Sequence, residues 1–166
     1  MATTSGLRHL ANTENENEND DNSHPATVTV GIGAVLTTSG AGSQQLSLVR
    51  FLRPVIVVRA GDTVEWINRD PSEPHTVTFG AEPTDPRPPS TNVSPTPDGA
   101  RQATIQSTAD AVNSGILILA FQDRPGLPET PLGVTRFRVT FTAPGTYNYI
   151  CALHDNLGMT GKVIVH

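Results

Sequence analysis

Polar and apolar positions alternate along this chain in short runs. Thr27-Val28-Thr29-Val30-Gly31-Ile32-Gly33 changes character at every residue, the period of a strand with one buried face. Residues 46–51 and 54–59 predict two further strands, the second rich in Val and Ile. The turn Ala60-Gly61-Asp62 leads into Thr63-Val64-Glu65-Trp66-Ile67-Asn68, which alternates with Val64 and Trp66 on one face. Trp66 is the single tryptophan and reads as a core plug. Strand character resumes over 75–79 and returns over 134–141, where Phe137, Val139 and Phe141 face inward and Arg136, Arg138 and Thr140 outward. Residues 146–151 and 162–165 are the last two strands. Only the apolar run 112–121 is ambiguous, because its length does not separate a strand from a short helix. No segment carries a helical period. Several short strands with turn signals between them predict an all-β sandwich or barrel.

Composition agrees with that class. The 166 residues suffice for one domain with a core, and 14 glycines and 14 prolines suit many turns. Residues 12–23 are acidic and Asn-rich with nothing apolar to bury. The expected organisation is therefore a disordered leader over 1–25 and a folded domain over 26–166. Six prolines, at 83, 86, 88, 89, 95 and 97, deprive 81–100 of backbone donors, so this stretch reads as a long surface insertion. Residues 123–133 form a second Pro- and Gly-rich loop.

Charge and targeting signals narrow the partners. A net charge of −5 supplies no basic footprint for nucleic acid. No apolar run approaches the roughly 20 residues of a membrane-spanning helix, and 1–24 contain no apolar signal segment. A membrane association would have to run through the N-terminal leader as a tether. One cysteine excludes an internal disulfide.

That cysteine lies in Cys151-Ala152-Leu153-His154-Asp155-Asn156-Leu157-Gly158-Met159, a C-x2-H-x4-M stretch. Met159 is the only methionine besides Met1. With His75, delivered by the loop Asp70-Pro71-Ser72-Glu73-Pro74, these residues make up one thiolate, two imidazoles and a thioether. Such a set suits a single copper ion that cycles between Cu(I) and Cu(II). His9, His24 and His166 lie in or beside the leader or at the last position and are not assigned to the metal.

The stretches 60–68, Pro74-His75, Ala143-Pro144-Gly145-Thr146-Tyr147-Asn148-Tyr149-Ile150-Cys151 and Met159-Thr160-Gly161-Lys162-Val163 resemble a cupredoxin of the plastocyanin and pseudoazurin group. The resemblance covers about 26–166. It implies a Greek-key β-sandwich, one type 1 copper and one-electron transfer between redox protein partners in a periplasmic or extracellular setting. It further implies that His75 and His154 are equatorial ligands, Cys151 the thiolate and Met159 the axial sulfur. A monomer is expected.

Three departures from the group stand out. Thr76 occupies the place of an asparagine that ties the ligand loops together, and its hydroxyl is a candidate substitute. Leu153 replaces a proline, which adds a backbone donor and predicts a second N–H···S bond to Cys151 beside that of Thr76. The segment between His75 and Cys151 is long, with 81–100 as the insertion. The same ligands would also serve a copper carrier or sensor, or an electron-transfer domain of a larger copper enzyme. Ile150 and Ala152 beside the cysteine supply no ligand for a second, catalytic copper, so the chain is not expected to be an enzyme.

Overall fold

The computed structural model describes residues 25–37, 45–119 and 134–166. The leader up to residue 24, the loop 123–133 and the end of the 112–121 run lie outside the described residues. Within them the strands are β1 (Thr27–Thr37), β2 (Gln45–Leu52), β3 (Val55–Val58), β4 (Thr63–Asn68), β5 (Thr78–Phe79), β6 (Ser94–Pro95), β7 (Arg101–Ile105), β8 (Val112–Asn113), β9 (Arg136–Phe141), β10 (Gly145–Ile150) and β11 (Thr160–Val165). They form two sheets, ordered β2-β1-β4-β9-β7-β6 and β3-β11-β10-β5-β8. The protein is an all-β, two-sheet sandwich. No helix among the described residues is long and apolar enough to cross a membrane.

The alternating pattern explains the core. Val64 and Trp66 of β4 and Phe137, Val139 and Phe141 of β9 are fully buried, while Arg136, Arg138 and Thr140 lie at the outer face. Trp66 meets Phe79 and Tyr149 of the opposite sheet edge-on, with ring centroids 5.7 and 5.2 Å apart. These tilted contacts lock the two sheets face to face. At the start of the domain, Asp62 accepts hydrogen bonds from the amides of Ala26 and Arg59, both at 2.8 Å. One carboxylate thus closes the 59–62 turn and fixes β1 beside β4.

Two segments come out differently from their sequence patterns. Arg101–Ile105 carries no strand signal of its own, yet it forms β7, paired parallel to β9 and burying Ala103 and Ile105. The proline-rich stretch is mostly exposed as expected, but Ser94 and Pro95 form an edge strand against β7. Proline is tolerated there because an edge position needs no inward donor. The insertion is also held from above by Asp98, which pairs with Arg136 and Arg138 of β9. The described part of the ambiguous run, 112–119, is extended chain: after β8, Leu117 makes an isolated antiparallel bridge with His75.

Candidate metal centre

Two loops at one end of the sandwich supply the candidate ligands. The first links β4 to β5 and is organised by its own polar side chains. The Asn68 side chain accepts from the Asp70 amide at 2.8 Å and donates to the carbonyls of Glu73 and Leu117 at 3.2 and 2.7 Å. Asp70 Oδ1 accepts from the Ser72 amide, the Ser72 hydroxyl and the Glu73 amide at 2.9, 2.8 and 3.1 Å. His75 is then fixed through its backbone by the reciprocal bonds of the Leu117 bridge, 3.0 and 2.8 Å. Its ring is fully buried, with Nε2 3.5 Å from Asp70 Oδ2.

The second loop joins β10 to β11. Cys151 directly follows β10, and its amide donates to the Met159 carbonyl at 3.0 Å, so the loop closes on itself. Inside the closure, the His154 carbonyl accepts from Leu157 and Met159, and Asp155–Leu157 forms one 3-10 turn. Gly158 ends that turn at φ 76°, a left-handed conformation that glycine takes without penalty. Arg50 of β2 donates to the Leu157 carbonyl at 2.8 Å and clamps the loop from outside.

The loops meet at the sulfur. Cys151 Sγ lies 3.7 Å from His75 Nδ1 and 3.5 Å from His154 Nδ1, and the three candidate donor atoms all fall within 4.8 Å of one another. Among the described residues this is the group of metal-binding side chains that converges. Met159 sits fully buried at the far end of the loop. His166 lies at the other end of β11, its amide donating to Val58. His9 and His24 lie outside the described residues.

Thr76 does what the sequence left to its hydroxyl. Its Oγ1 accepts from the Ala152 amide at 2.8 Å, and its own amide donates to Cys151 Sγ at 3.3 Å. Both bonds cross from one ligand loop to the other. The Leu153 and His154 amides also favour the thiolate, but among the backbone amides only that of Thr76 has full hydrogen-bond geometry, and the Thr76 hydroxyl adds a long contact at 4.0 Å. The anticipated Leu153 contact is therefore weaker than a second complete N–H···S bond. The two leucines of the loop divide: Leu153 packs against the core, whereas Leu157 is 54% exposed near His154.

Burial pushes the Cys151 thiol above its ordinary value, opposed by the Thr76 amide. Burial also lowers His75 to about 4, with the Asp70 contact opposing it and the neighbouring His154 adding to it. The ring is thus a neutral imidazole at pH 7, the form that binds metals. The metal-free protein should lose stability as the pH falls. A histidine whose folded-state pKa lies below its unfolded value stabilises the fold above about 6.5, and that contribution disappears between 6.5 and 4. The loss should reach at most about 3 kcal/mol, with a slope near 1.4 kcal/mol per pH unit. Asp98 is held far below the usual carboxylate range by Arg138 and adds its own loss only below its ordinary 3.8. Urea unfolding of metal-free protein at pH 7 and 4.5 measures the effect. Equal stabilities would show that His75 is protonated without leaving the core.

Asp70, Asn68, Gly33 and Arg50 were not legible as parts of the site. The one local signal was Asn68-Arg69-Asp70 followed by Pro71 and Ser72, a run of side chains that favour Asx-type turns.

Sequence comparison identifies the family whose model, described as copper binding proteins of the plastocyanin/azurin family, matches residues 37–166. Plastocyanin of Synechococcus sp. (strain JA-2-3B'a(2-13)) is 29% identical over 126 residues, covering 75% of this chain and 69% of that protein. Among solved structures, an oxidized-state mutant of amicyanin aligns at TM-score 0.46 and 24% identity, over 84% of this chain and 82% of the other. Amicyanin from Paracoccus versutus (Thiobacillus versutus) aligns at TM-score 0.43 and 22% identity, over 84% and 81%.

Proposed function

The chain belongs to the plastocyanin/azurin family of copper-binding proteins, and we propose from this that it holds one copper ion through His75, Cys151, His154 and Met159 and carries single electrons between redox protein partners. The observation that carries the reading is the convergence of two imidazole Nδ1 atoms on one buried cysteine sulfur, within 4.8 Å of each other. That donor set fits a type 1 copper ion. When bound, copper supplies a couple that accepts and releases one electron.

The chain's own residues account for the rest. Cross-loop bonds from Thr76 to Ala152 and to Cys151, the Cys151–Met159 closure and the Leu117 bridge hold the ligands against rearrangement. Little has to move when charge changes, so little energy is spent on reorganisation. Burial of His75, Cys151 and Met159 excludes water and supports retention of the metal over exchange, unlike a copper carrier. His154 is partly exposed and Leu157 stands beside it, which supports electron exit through the imidazole edge against an apolar partner surface. The neighbours Ile150 and Ala152 offer no ligand for a second metal, so the reaction is electron transfer without bond chemistry. The setting that goes with this role is periplasmic or extracellular, with a monomeric domain over 26–166 and the leader as a spacer or tether.

Visible absorption and EPR of the copper-loaded protein, followed by stepwise reduction, test the reading. An intense red band that bleaches with one electron supports it. Weak absorption with ordinary copper EPR overturns it. Leu153→Pro should lower the reduction potential, because removing a donor that favours electron density on the sulfur destabilises the reduced state. The shift should be smaller than the ~59 mV of a tenfold change in a one-electron equilibrium, since the Leu153 amide lacks full hydrogen-bond geometry. Voltammetry showing an unchanged potential would remove Leu153 from the tuning of the site.

A further inference from the structure

We propose that Asp70 is a positioning residue for the metal centre, a buried carboxylate that fixes the His75 tautomer and biases bound copper toward its oxidised state. The inference rests on the ligand assignment above and adds to it a residue that does not touch the metal.

The geometry begins with the imidazole. His75 Nδ1 faces Cys151 Sγ at 3.7 Å, and Nε2 faces Asp70 Oδ2 at 3.5 Å. An imidazole that offers Nδ1 to a metal carries its proton on Nε2, and a buried N–H requires an acceptor. Asp70 Oδ2 is in place to be that acceptor. The other oxygen, Oδ1, already accepts from Ser72 N, Ser72 Oγ and Glu73 N. Three donors on Oδ1 and a ring N–H at Oδ2 call for an acceptor at each oxygen, which a carboxylate provides. Both side chains are fully excluded from solvent.

The enclosure is built by β1. Its register against β2 shifts between Ile32 and Ala34, and Gly33 lies at the shift with φ 62°. A Cβ at Gly33 would come within 2.7 Å of His75 Nε2 and 2.9 Å of Asp70 Oδ2. The bare glycine lets the backbone cover the pair without pushing it apart.

Charge gives the pair its second role. The Asp70 carboxylate attracts a doubly charged ion more strongly than a singly charged one, and the low dielectric of the buried region enlarges that difference. A neutral acceptor in place of Asp70 would fix the tautomer equally well but would not discriminate between the two oxidation states.

Asp70→Asn tests both roles in the full chain. The asparagine oxygen can still cap Ser72 and Glu73, which turns its NH2 toward His75 and favours the tautomer with Nε2 bare and Nδ1 protonated. Long-range proton–nitrogen NMR reads the tautomer in the metal-free and Cu(I) proteins. In the variant, metal-free His75 should move to the Nδ1–H form and Cu(II) affinity should fall roughly 10–100-fold. The Cu(I)-to-Cu(II) ratio at fixed potential should rise about tenfold, an upward shift of about 59 mV. Ser72→Ala is the control. It removes a cap donor but leaves the His75 contact, so tautomer and potential should hold. Equal shifts in the two variants would reduce Asp70 to a loop cap and overturn the inference. Wild-type protein alone suffices if the variant does not fold: an Nδ1–H tautomer in its metal-free form overturns the inference directly. A wild type without a red band overturns the copper assignment and this inference together. A wild type with the band, and a variant with unchanged tautomer and potential, overturns only the role of Asp70.

Discussion

Cys151→Ser should fold, yet its copper-loaded form should lose the red absorption down to baseline and show ordinary copper EPR. The sulfur is the point on which the site converges: the Thr76 amide at 3.3 Å, His154 Nδ1 at 3.5 Å and His75 Nδ1 at 3.7 Å all address it. A serine hydroxyl is smaller, holds its proton far more tightly and gives no thiolate charge-transfer band. The fold should tolerate the change, because the Thr76 amide that donates to sulfur can donate to oxygen and leaves no donor stranded. The cost to the metal-free protein should be about 1 kcal/mol. Absorption, EPR and urea unfolding of the variant beside wild type separate the two effects. A variant that keeps the red band at wild-type strength would exclude Cys151 as the ligand. A variant that loses the band only by unfolding would leave the ligand question to the spectra of other substitutions.

How much of this site was legible in the sequence depended on how local each contact was. Cys151, His154 and Met159 lie within one closed loop, so their spacing alone brought them together. β9 was legible for the same reason: its inward and outward residues follow a period of two, and the sheet honours that period from Arg136 to Phe141. β7 is the opposite case. Arg101-Gln102-Ala103-Thr104-Ile105 offers two modest apolar residues after a proline run, and it becomes a strand because β9 presents a partner on one side. Strand propensity measures fit to neighbours, and the neighbour with the longer ladder here, β9, is more than thirty positions away in sequence. The run 112–121 was ambiguous for a related reason. Its apolar residues suit either a strand or a helix, and the decision is made by the Leu117 bridge to His75.

Asp70 illustrates the harder limit. As a sequence feature it is an acidic residue in a loop, and such residues are ordinarily solvated. Its complete burial follows from two near neighbours, the Asn68 side chain that receives its amide and His75 at its second oxygen, and from one residue distant in sequence, Gly33 of β1. Gly33 carried its own weak signal, because a glycine inside a strand pattern marks a bulge or a close backbone approach. Nothing local indicated that the thing approached would be a histidine–carboxylate pair.

Gly33 is therefore a position where a single methyl group should damage the fold and the site together. Gly33→Ala adds a Cβ that would lie 2.7 Å from His75 Nε2, 2.8 Å from Asp70 Cβ and 2.9 Å from Asp70 Oδ2. Real Cβ atoms do not approach other heavy atoms so closely, so the backbone or the pair must shift. The residue also sits at φ 62°, where a non-glycine residue costs about 1–2 kcal/mol. Overpacking a filled interior adds about 1–3 kcal/mol. The metal-free protein should lose about 2–5 kcal/mol in urea unfolding, a large part of the stability of a domain this size. The direction of relief decides what happens to the site. Outward movement of β1 opens the His75–Asp70 contact to water, and inward pressure on Nε2 drives the ring toward Cys151. Either movement displaces Nδ1 from its place beside the sulfur, so copper affinity and the intensity of the red band should fall together with stability. Gly31→Ala on the same strand is the comparison. Its Cβ meets the flexible end of the Leu52 side chain at 3.0 Å, well away from the ligands. It should cost less and leave the spectrum unchanged. If Gly33→Ala proved as mild as Gly31→Ala in both measurements, β1 would not be the wall of the His75 pocket.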